Sequence, residues 1–588
     1  MKLNKLLLAC ALLGSGFSCN TLDIPPMNII QDENVFSSEA GVTAYISRLY
    51  TEMPIEDFKF NRDGFDQFSN YPGISNFTNE ALLVIKDIVW ENPSGDWFQA
   101  WKYGSVRNIN YFIEAISENR VNFTEDKINS WLGEAYFIRA YTYFAMVKRY
   151  GGVPIITNVQ NFPEQSIEEL KVPRSSEQEV YDFIAKDLDL AISLLPENSI
   201  SEGRVNKNIA YALKSRVMLY AGSIAQYGKM QLNNLLGIPS SDANKYYQAA
   251  YDAAKMLEGK YSLYNKYNDK YENYWHLFLD KDSPENIFCK YFKYPEQAHS
   301  FDELHVPYQM RGAEGYSSRF NPTLDFVMMF DDVEGNSNWL KVGTEDNPIR
   351  YENRIDIFEK AEPRLRGTVI FPGDIFKNEE IDIQKGIYES YPNGDLHTSA
   401  DFTATYKDKA VIGRSGMGHT ETTCTGFLVR KYQNPDIKQS ELILWRDTKH
   451  WIDIRYAEIL LNRAEAAFAL GKKDDALYCI NLIRERAGAK LYTKDQLTER
   501  AIQKERRMEL AFENHTYWDL RRWRIADSEM NNRQFKALCP YYVYDEGKYI
   551  YKIEGVGPQY TFDVKVNYVK IPTDEISKNE KLIQNPGY

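Results

Sequence analysis

Two glutamates, Glu509 and Glu513, lie four residues apart in a segment with helical periodicity. Because residues at this spacing share one helix face, the two carboxylates could serve as the acid and base of a glycoside hydrolase. In such enzymes, however, the carboxylates flank the sugar from separate elements, roughly 5 to 10 Å apart. We instead predict a structural ion-pair network, in which the neutralising residues are Arg506, Arg507, Arg521 and Arg522. The same interpretation applies to Glu134, Arg139, Arg455, Glu458, Arg463 and Glu465.

Three patterns that are typical of cofactor sites are incomplete. Residues 413–418, GRSGMG, lack the Gly-Lys-Ser/Thr ending of a phosphate loop, so we predict a flexible loop. The seven histidines are scattered without an HExxH motif, which argues against a catalytic zinc. Residues 331–336, DDVEGN, miss the spacing of a calcium loop and indicate a solvated turn with, at most, adventitious calcium. We therefore expect no cofactor and no catalytic residues.

Aromatic residues make up 14% of the sequence, including 42 Tyr and 10 Trp. These two side chains suit surfaces that are apolar on one side and wet on the other. Sugars present apolar C–H faces that stack on rings and hydroxyls that need polar groups, so an aromatic shelf with a polar rim is typical of a carbohydrate site. Residues with this composition lie in an early irregular segment and in a central one; they are Trp90, Asn92 and Trp97, and Tyr316, Arg319 and Asn321.

The net charge of -13 argues against nucleic acid and against an anionic membrane surface as partners. Binding to phosphates depends on clusters of Lys and Arg, and the sequence contains no such cluster.

The N-terminus has the layout of a cleaved export signal. Lys2 and Lys5 precede the apolar run 6–13, and small residues then lead to Cys19. A cysteine at this point is typical of a bacterial lipoprotein, although Gly16 stands where leucine is commoner; plain secretion is the alternative. We predict a signal peptide over residues 1–18, lipidation of Cys19 and a tether over residues 19–34. No later apolar run is long enough to span a bilayer.

The remaining cysteines are far apart and form no zinc spacing and no dense disulfide framework. They are Cys289, Cys424, Cys479 and Cys539. One or two disulfides stay open on this basis, and the position of Cys479 in a helical pattern predicts a buried thiol.

Residues 132–157 contain the element that the other elements must pack around. Apolar residues recur there along two adjoining helical stripes, which predicts a helix buried on two sides. Gly151 and Gly152 predict its end, since glycine adopts the left-handed conformation that terminates helices. Arg139 interrupts one stripe and should require a carboxylate partner.

Further helical patterns follow, and they suggest a mainly α fold. They cover residues 37–50, 97–117, 177–195, 206–226, 243–258, 451–470, 474–487 and 501–512. The pair at 451–470 and 474–487 is spaced like one tetratricopeptide repeat. Between these helices, residues 261–447 are rich in Gly, Pro, Asn and aromatics. We predict a solenoid of tetratricopeptide-like helix pairs that supports an irregular, loop-rich ligand-binding lobe.

The sequence resembles the SusD/RagB family of surface lipoproteins from Bacteroidetes over nearly the whole mature chain. The matching residues are Leu22-Asp23 and Pro26; Phe36-Ser37-Ser38; Arg139-Ala140-Tyr141 through Gly151-Gly152-Val153-Pro154; Glu362-Pro363-Arg364; Arg455-Tyr456-Ala457-Glu458; Glu505-Arg506-Arg507 with Glu509-Leu510; and Gln584-Asn585-Pro586-Gly587-Tyr588. The order and coverage of these motifs together make the resemblance specific. It implies an N-terminal helical region at 35–260 and a C-terminal region at 261–588, with the insert at 261–447 and repeat-like helices at 448–530.

The resemblance also implies a non-catalytic function. Such proteins are held by lipid at the outer membrane, capture an oligosaccharide and act as the lid of a SusC-like TonB-dependent transporter. The alternatives are a helical-repeat scaffold that binds proteins but no glycan, and a glycoside hydrolase. The binding residues of the family lie in variable loops, so the resemblance transfers none of them to this sequence.

Overall fold

The computed structural model describes residues 35–58, 73–84 and 99–588. The sequence predictions that lie outside these residues concern the export signal (1–18), the tether (19–34), Cys19, Trp90, Asn92 and Trp97. Within the described residues, none of the helices combines the length and the apolar character needed to cross a bilayer.

The described part of the chain is mainly helical, as predicted. The α-helices are α1 Glu39–Thr51, α2 Tyr103–Glu118, α3 Glu125–Tyr150, α4 Ile167–Leu170, α5 Glu177–Leu194, α6 Lys207–Tyr227, α7 Ala243–Lys255, α8 Lys270–His276, α9 Phe301–His305, α10 Leu324–Val327, α11 Pro363–Thr368, α12 Tyr456–Ala469, α13 Lys473–Ala487, α14 Glu499–Glu509, α15 Thr516–Arg522, α16 Ala526–Met530 and α17 Thr573–Lys578. Short 3₁₀ turns are Ile74–Phe77, Arg120–Asn122, Ser240–Asp242, Tyr308–Met310, Asp356–Phe358, Gln439–Glu441 and Val564–Asn567.

Helix α3 is buried along most of its length and confirms the predicted organising helix. It ends at Gly151, which has a φ of 71°, in the region that favours glycine. A Cβ atom at this position would also lie 2.2 Å from Leu236 Cδ2. Arg139 has the predicted carboxylate partner, since its Nε lies 2.7 Å from Asp187 Oδ2.

The scaffold consists of helices that follow one another in the chain and pack side by side. Helix α5 packs on α3, α6 on α7, α12 on α13, and α12 on α7. Gly222 permits the close approach of α6 and α7, because a Cβ there would lie 2.8 Å from the Tyr247 ring. A single hydrophobic core contains side chains from α1, α2, α3, α5, α6 and α7 and from α12 through α15, so the early and late helices form one packed body.

The structure corrects the sequence analysis at residues 451–455. The predicted helix over 451–470 begins only at Tyr456, because Trp451–Arg455 forms strand β12. This strand pairs antiparallel with β2, Asn286–Lys290. Tertiary pairing therefore overrides a local pattern that is too short to distinguish a strand from the first turn of a helix.

The insert is built from turns and short strands, in agreement with the prediction of an irregular lobe. The remaining strands are β1 Ala81–Leu83, β3 Phe320–Pro322, β4 Val369–Ile370, β5 Ile375–Phe376, β6 Glu379–Glu380, β7 Gly386–Tyr388, β8 Leu396–Thr398, β9 Thr405–Tyr406, β10 Lys409–Ala410, β11 Leu428–Val429, β13 Arg533–Val543 and β14 Lys548–Tyr560. Strands β13 and β14 form a long hairpin that the sequence analysis missed. This hairpin joins the insert in a sheet of order β14-β13-β7-β8, in which only the β13–β7 pairing is parallel.

A cluster of buried charges joins the insert to the helical scaffold. We call it the buried ion cluster, and it consists of Glu285, Glu362, Glu505, Glu509 and Glu513 with Arg364, Lys431, Arg455, Arg484 and Arg486. These members come from the insert, from β12, from helices α11, α13 and α14, and, for Glu513, from the turn after α14. As defined, the cluster contains as many carboxylates as cations, so no charge in it is uncompensated.

Arg455 and Glu509 lie at the centre of this cluster. Arg455 Nη1 lies 2.7 Å from both Glu285 Oε1 and Glu509 Oε1, and Arg455 Nε lies 2.7 Å from Glu513 Oε2. Burial alone would raise the pKa of Glu509, but the guanidinium groups of Arg486, Arg455 and Arg364 hold this pKa well below its usual range.

The predicted ion-pair network is thus confirmed, but its predicted partners are wrong. Arg506 pairs with Asp519, and Arg522 pairs with Asp519 and Glu465, whereas Glu509 and Glu513 are neutralised by residues from distant segments. Proximity in sequence does not identify ion partners that come from other elements.

Residues 583–585 return to the end of helix α3. Asn585 Nδ2 donates to the Tyr150 carbonyl at 3.1 Å, across a sequence separation of 435 residues. Arg174 donates to the Tyr150 carbonyl at 2.8 Å, to Asn585 Oδ1 at 3.0 Å and to the Ile583 carbonyl at 2.6 Å. These hydrogen bonds cap the C-terminal end of helix α3 with residues from the far end of the described chain.

We predict that Arg455→Met lowers the free energy of unfolding by about 3–5 kcal/mol, because it leaves buried carboxylates unpaired. Denaturant titration followed by circular dichroism measures the change. Arg48→Met is the matched control, since Arg48 is 61% exposed in its pair with Glu52 and should change the stability by less than about 0.5 kcal/mol. Equal effects of the two substitutions would contradict a structural role for the cluster.

Candidate functional site

Strand pairing brings the early irregular segment and the insert together. Leu83 of β1 pairs with Phe320 of β3, and the Val84 N–H donates to the Arg319 carbonyl at 3.2 Å. The chain that enters residues 85–98 therefore begins beside the insert residues that the sequence analysis selected.

The three selected insert residues differ in exposure. Tyr316 is half-buried, whereas Arg319 is buried and Asn321 is fully buried. Asn321 Nδ2 donates to the Ser318 carbonyl at 2.6 Å, and its Oδ1 accepts the Cys424 N–H at 2.8 Å. Asn321 thus joins two loops through its side chain, and its role as a glycan contact stays a prediction, as do the roles of Tyr316 and Arg319.

Arg319 contributes a charged pair at this surface. Its Nη2 lies 3.1 Å from Glu421 Oε2, and its guanidinium carbon lies 5.6 Å from the Tyr316 ring centroid. The Ser317 hydroxyl donates to the Glu421 carbonyl at 3.0 Å, which holds the two loops in register. The pair places a fixed donor and a fixed acceptor beside a partly exposed ring.

Next to this pair lies a set of side chains that we call the aromatic ledge, defined as Tyr308, Arg311, Phe402 and His419. The Tyr308 and Phe402 rings are stacked, with centroids 4.5 Å apart and an interplanar angle of 15°. The Arg311 guanidinium carbon lies 3.6 Å from the Tyr308 centroid. Arg311 and Phe402 must cover opposite faces of Tyr308, because they would overlap on one face. The ledge is therefore a three-layer stack.

The glycine-rich segment 413–418 positions the fourth member of the ledge. The Ser415 N–H donates to the Asp382 carbonyl at 2.9 Å, and the Met417 N–H donates to the Gln384 carbonyl at 3.0 Å. Ser415 Oγ accepts the Gln309 N–H at 3.1 Å. The predicted flexible loop is thus an anchored turn, and it places His419 5.1 Å from both the Tyr308 and the Phe402 centroids.

Two buried titratable groups lie on α9, directly before the ledge in sequence. Burial, with a contribution from Glu314, raises the pKa of Glu303 to about 8. Burial, assisted by Arg319 and Lys449, lowers the pKa of His305 to about 3. At neutral pH both groups are therefore largely uncharged, and the ionic groups presented at this surface are Arg311, Arg319 and Glu421.

The described residues offer little for metal or redox chemistry. In residues 35–58, 73–84 and 99–588, no three His, Cys, Asp or Glu side chains lie close enough to hold a metal ion. The acidic turn is internally bonded, since Asp332 Oδ1 accepts the Asn336 N–H at 2.7 Å. Cys289, Cys479 and Cys539 are free thiols, and Cys479 is buried as predicted.

The cavity beneath β3 is too small for a sugar. It has a volume of about 40 Å³ and is lined by Phe58, His305, Phe320 and Phe512 among others, which is room for water-sized molecules. The ledge, in contrast, is an open surface of rings and guanidinium groups. Such a surface can stack on the apolar face of a ligand and hydrogen-bond to its hydroxyls.

The sequence analysis missed Tyr308, Phe402 and His419. They lie in three separate segments whose local patterns carry no shared signal. Contacts that form on folding, among them the pairing of Gln309 with Ser415 and the stacking of Phe402 on Tyr308, bring these segments together. A search for aromatics in Gly-rich and Asn-rich segments would have included Phe402 among many others.

The fold and this surface define a class of mainly helical proteins with a loop-rich face. Residues 284–588 match the model of the SusD family, and residues 22–219 match a model described as starch-binding associating with outer membrane. The chain therefore belongs to the SusD family.

Known relatives cover the whole length of the chain. "SusD-like protein P2" of Formosa agariphila is 22% identical, over 97% of each chain. A SusD-like protein of Bacteroides fragilis is similar in structure, with a TM-score of 0.71 and 26% identity over 96% of this chain and 100% of its own. A SusD-like carbohydrate-binding protein of the same species has a TM-score of 0.67 and 18% identity, over 93% of this chain and 100% of its own.

We predict that Glu303→Gln makes the protein less sensitive to alkaline pH. In the folded wild type the Glu303 carboxyl has a pKa of about 8, whereas the ordinary pKa of a glutamate is 4.5. Its contribution to stability is therefore fully present below pH 4.5 and is lost as the pH rises to about 8. Melting temperatures at pH 5 and pH 9 should differ less for Glu303→Gln than for the wild type. Glu296→Gln, at an exposed position, is the control and should show the pH dependence of the wild type. If Glu303→Gln also shows the wild-type pH dependence, the assignment of the raised pKa to Glu303 is refuted.

Proposed function

We propose that this protein is a cell-surface lipoprotein that captures an oligosaccharide and acts as the lid of a SusC-like TonB-dependent outer-membrane transporter. Membership of the SusD family, with matches in both halves of the chain, is the observation that carries this proposal. A structural neighbour described as carbohydrate-binding supports the ligand class. The description of the second family model supports a place at the outer membrane.

The aromatic ledge is the surface that we propose for capture. Because both faces of Tyr308 are covered, this ring serves as support, and the stacking surface for a sugar is the outer face of Phe402. The guanidinium of Arg311 and the Arg319–Glu421 pair lie close enough to the stack to serve sugar hydroxyls. The segments around residues 84 and 99 complete this face in the proposal, with Trp90, Asn92 and Trp97 as further contacts.

Capture without cleavage is supported by the environment of the two glutamates. Glu509 and Glu513 are buried within the buried ion cluster and bound to arginine or lysine. A glycoside hydrolase needs its acid and base on either side of an accessible sugar. We therefore assign these carboxylates to stability and propose no catalytic step.

Lipidation of Cys19 and transporter closure complete the proposal. Several acyl chains give a stable anchor, since each buried methylene adds roughly 0.8 kcal/mol and one chain alone is marginal. Bound glycan favours the closed lid only to the extent that it binds the closed state more tightly than the open one.

We predict that Phe402→Ala weakens glycan binding at least tenfold, because it removes the stacking face of the ledge. Isothermal titration of the mature protein against plant, host and microbial glycans first identifies the ligand, and the variant is then titrated with it. Tyr478→Ala is the matched control, since Tyr478 is an exposed aromatic on helix α13 of the scaffold. Binding with no released sugar supports capture, and sugar release would indicate a hydrolase. Retention of a protein partner with no glycan binding would instead indicate a scaffold.

We predict that Cys19→Ala releases the protein from membranes, because the thiol that would carry the acyl chains is absent. Fractionation of cells that lack the transporter partner provides the measurement, so that docking to the transporter cannot retain the protein. A variant that stays in the membrane fraction of such cells would refute lipidation at Cys19.

A further inference from the structure

A second concave site lies beside the sheet formed by β7, β13 and β14. It is a groove of about 440 Å³, which is within the size range of small-ligand sites, and it shares no residue with the aromatic ledge. We call it the tyrosine groove. Its lining residues include Tyr388, Tyr391, Tyr541, Lys552, Ile553 and Glu554.

The register of the sheet explains why these side chains converge. Tyr541 of β13 pairs with Ile550 of β14, so Lys552 and Glu554 follow on the same face by the two-residue alternation of a strand. Tyr388 comes from the parallel neighbour β7. The opposite wall is the loop that carries Tyr391, whose hydroxyl donates to the Glu345 carbonyl at 2.6 Å.

Glu554 is already neutralised within this groove. It forms an ion pair with Lys385, and its Oε1 accepts the Tyr541 hydroxyl at 2.6 Å. Burial would raise the pKa of Glu554, but the Lys385 and Tyr541 hydrogen bonds hold that pKa below its usual range. The carboxylate is therefore ionised, fixed and committed to Lys385.

Lys552 has no such partner. Its Nζ donates to the Tyr388 hydroxyl at 3.1 Å and lies 5.2 Å and 5.1 Å from the Tyr388 and Tyr391 ring centroids. None of the ion pairs among the described residues includes Lys552, although an ammonium group has three N–H donors. Burial would lower the pKa of Lys552, but hydrogen bonds with Tyr388 and Tyr391 raise it, so the group is charged at neutral pH.

A half-buried cation without a carboxylate partner requires an anion if the groove is to close over a ligand. The surrounding walls are apolar rings, and the rim offers the Tyr388 hydroxyl and the turn at residues 343–348 as polar groups. This combination fits a ligand with one carboxylate, an apolar C–H face and several hydroxyls.

We propose that the tyrosine groove binds one uronate residue of an acidic oligosaccharide, with its carboxylate on Lys552 Nζ and its C–H face against Tyr391. This site is separate from the ledge and does not depend on what the ledge binds. It gives the protein a preference for glycans that carry a carboxylate.

Tetragalacturonate and its fully methyl-esterified form provide the test, because they differ in charge but share their ring structure. In titration calorimetry the mature protein should bind the acid at least tenfold more tightly than the ester. Lys552→Met should weaken binding of the acid at least tenfold, and Lys552→Arg should retain it. Lys548→Met is the matched control on the same strand, since Lys548 pairs with Glu352 outside the groove and should leave affinity unchanged.

Several outcomes of this titration would overturn the proposal. They are an absence of saturable binding of tetragalacturonate, equal affinity for acid and ester, and equal affinity of the two Lys→Met variants. Phe402→Ala distinguishes the two sites. If this variant still binds tetragalacturonate, the proposal for the groove is supported. If binding is lost, the acid binds at the ledge and the proposal for the groove is wrong. If a glycan of the panel binds at the ledge and tetragalacturonate does not bind, the proposal for the groove is refuted and the proposed function is not.

Discussion

Charge balance in the buried ion cluster is the constraint on which the rest of the structure depends. A buried charge is tolerated only with a well-placed partner. Here Glu509 of α14 is satisfied by cations from β12, α11 and α13, and Glu513, which follows this helix, is paired with Lys431 of the insert. Each segment is thus incomplete without the others. The irregular insert is held to the scaffold by directional contacts as well as by apolar packing.

This attachment explains how loops can form defined surfaces. The turns that carry Tyr308, His419 and Glu421 are tied by backbone and side-chain hydrogen bonds to residues that are themselves fixed in the insert. A rigid platform loses little conformational entropy when it binds. In the proposed function the scaffold therefore contributes to capture, although none of its helices supplies a ledge residue.

Local patterns predicted the helices well and the long-range contacts poorly. Helix α3 and its end at Gly151 followed from 3.6-residue periodicity and from the conformational freedom of glycine. The hairpin of β13 and β14 was missed, although the run YYVYDEGKYIYKI alternates aromatic and β-branched residues around a Gly turn. The ledge could not be predicted, since Tyr308 and Phe402 meet only through folding. The ion partners of Glu509 were predicted wrongly for the same reason.

The contact between Asn585 and the Tyr150 carbonyl has a consequence for the order in which the chain folds. Arg174 and Asn585 both donate to this carbonyl, and 435 residues separate Asn585 from it. Because a chain is synthesised from its N-terminus, the segment that forms α3 is made long before residue 585. The contact of Asn585 with this end of α3 is therefore among the last to form, and it closes a loop of most of the described chain.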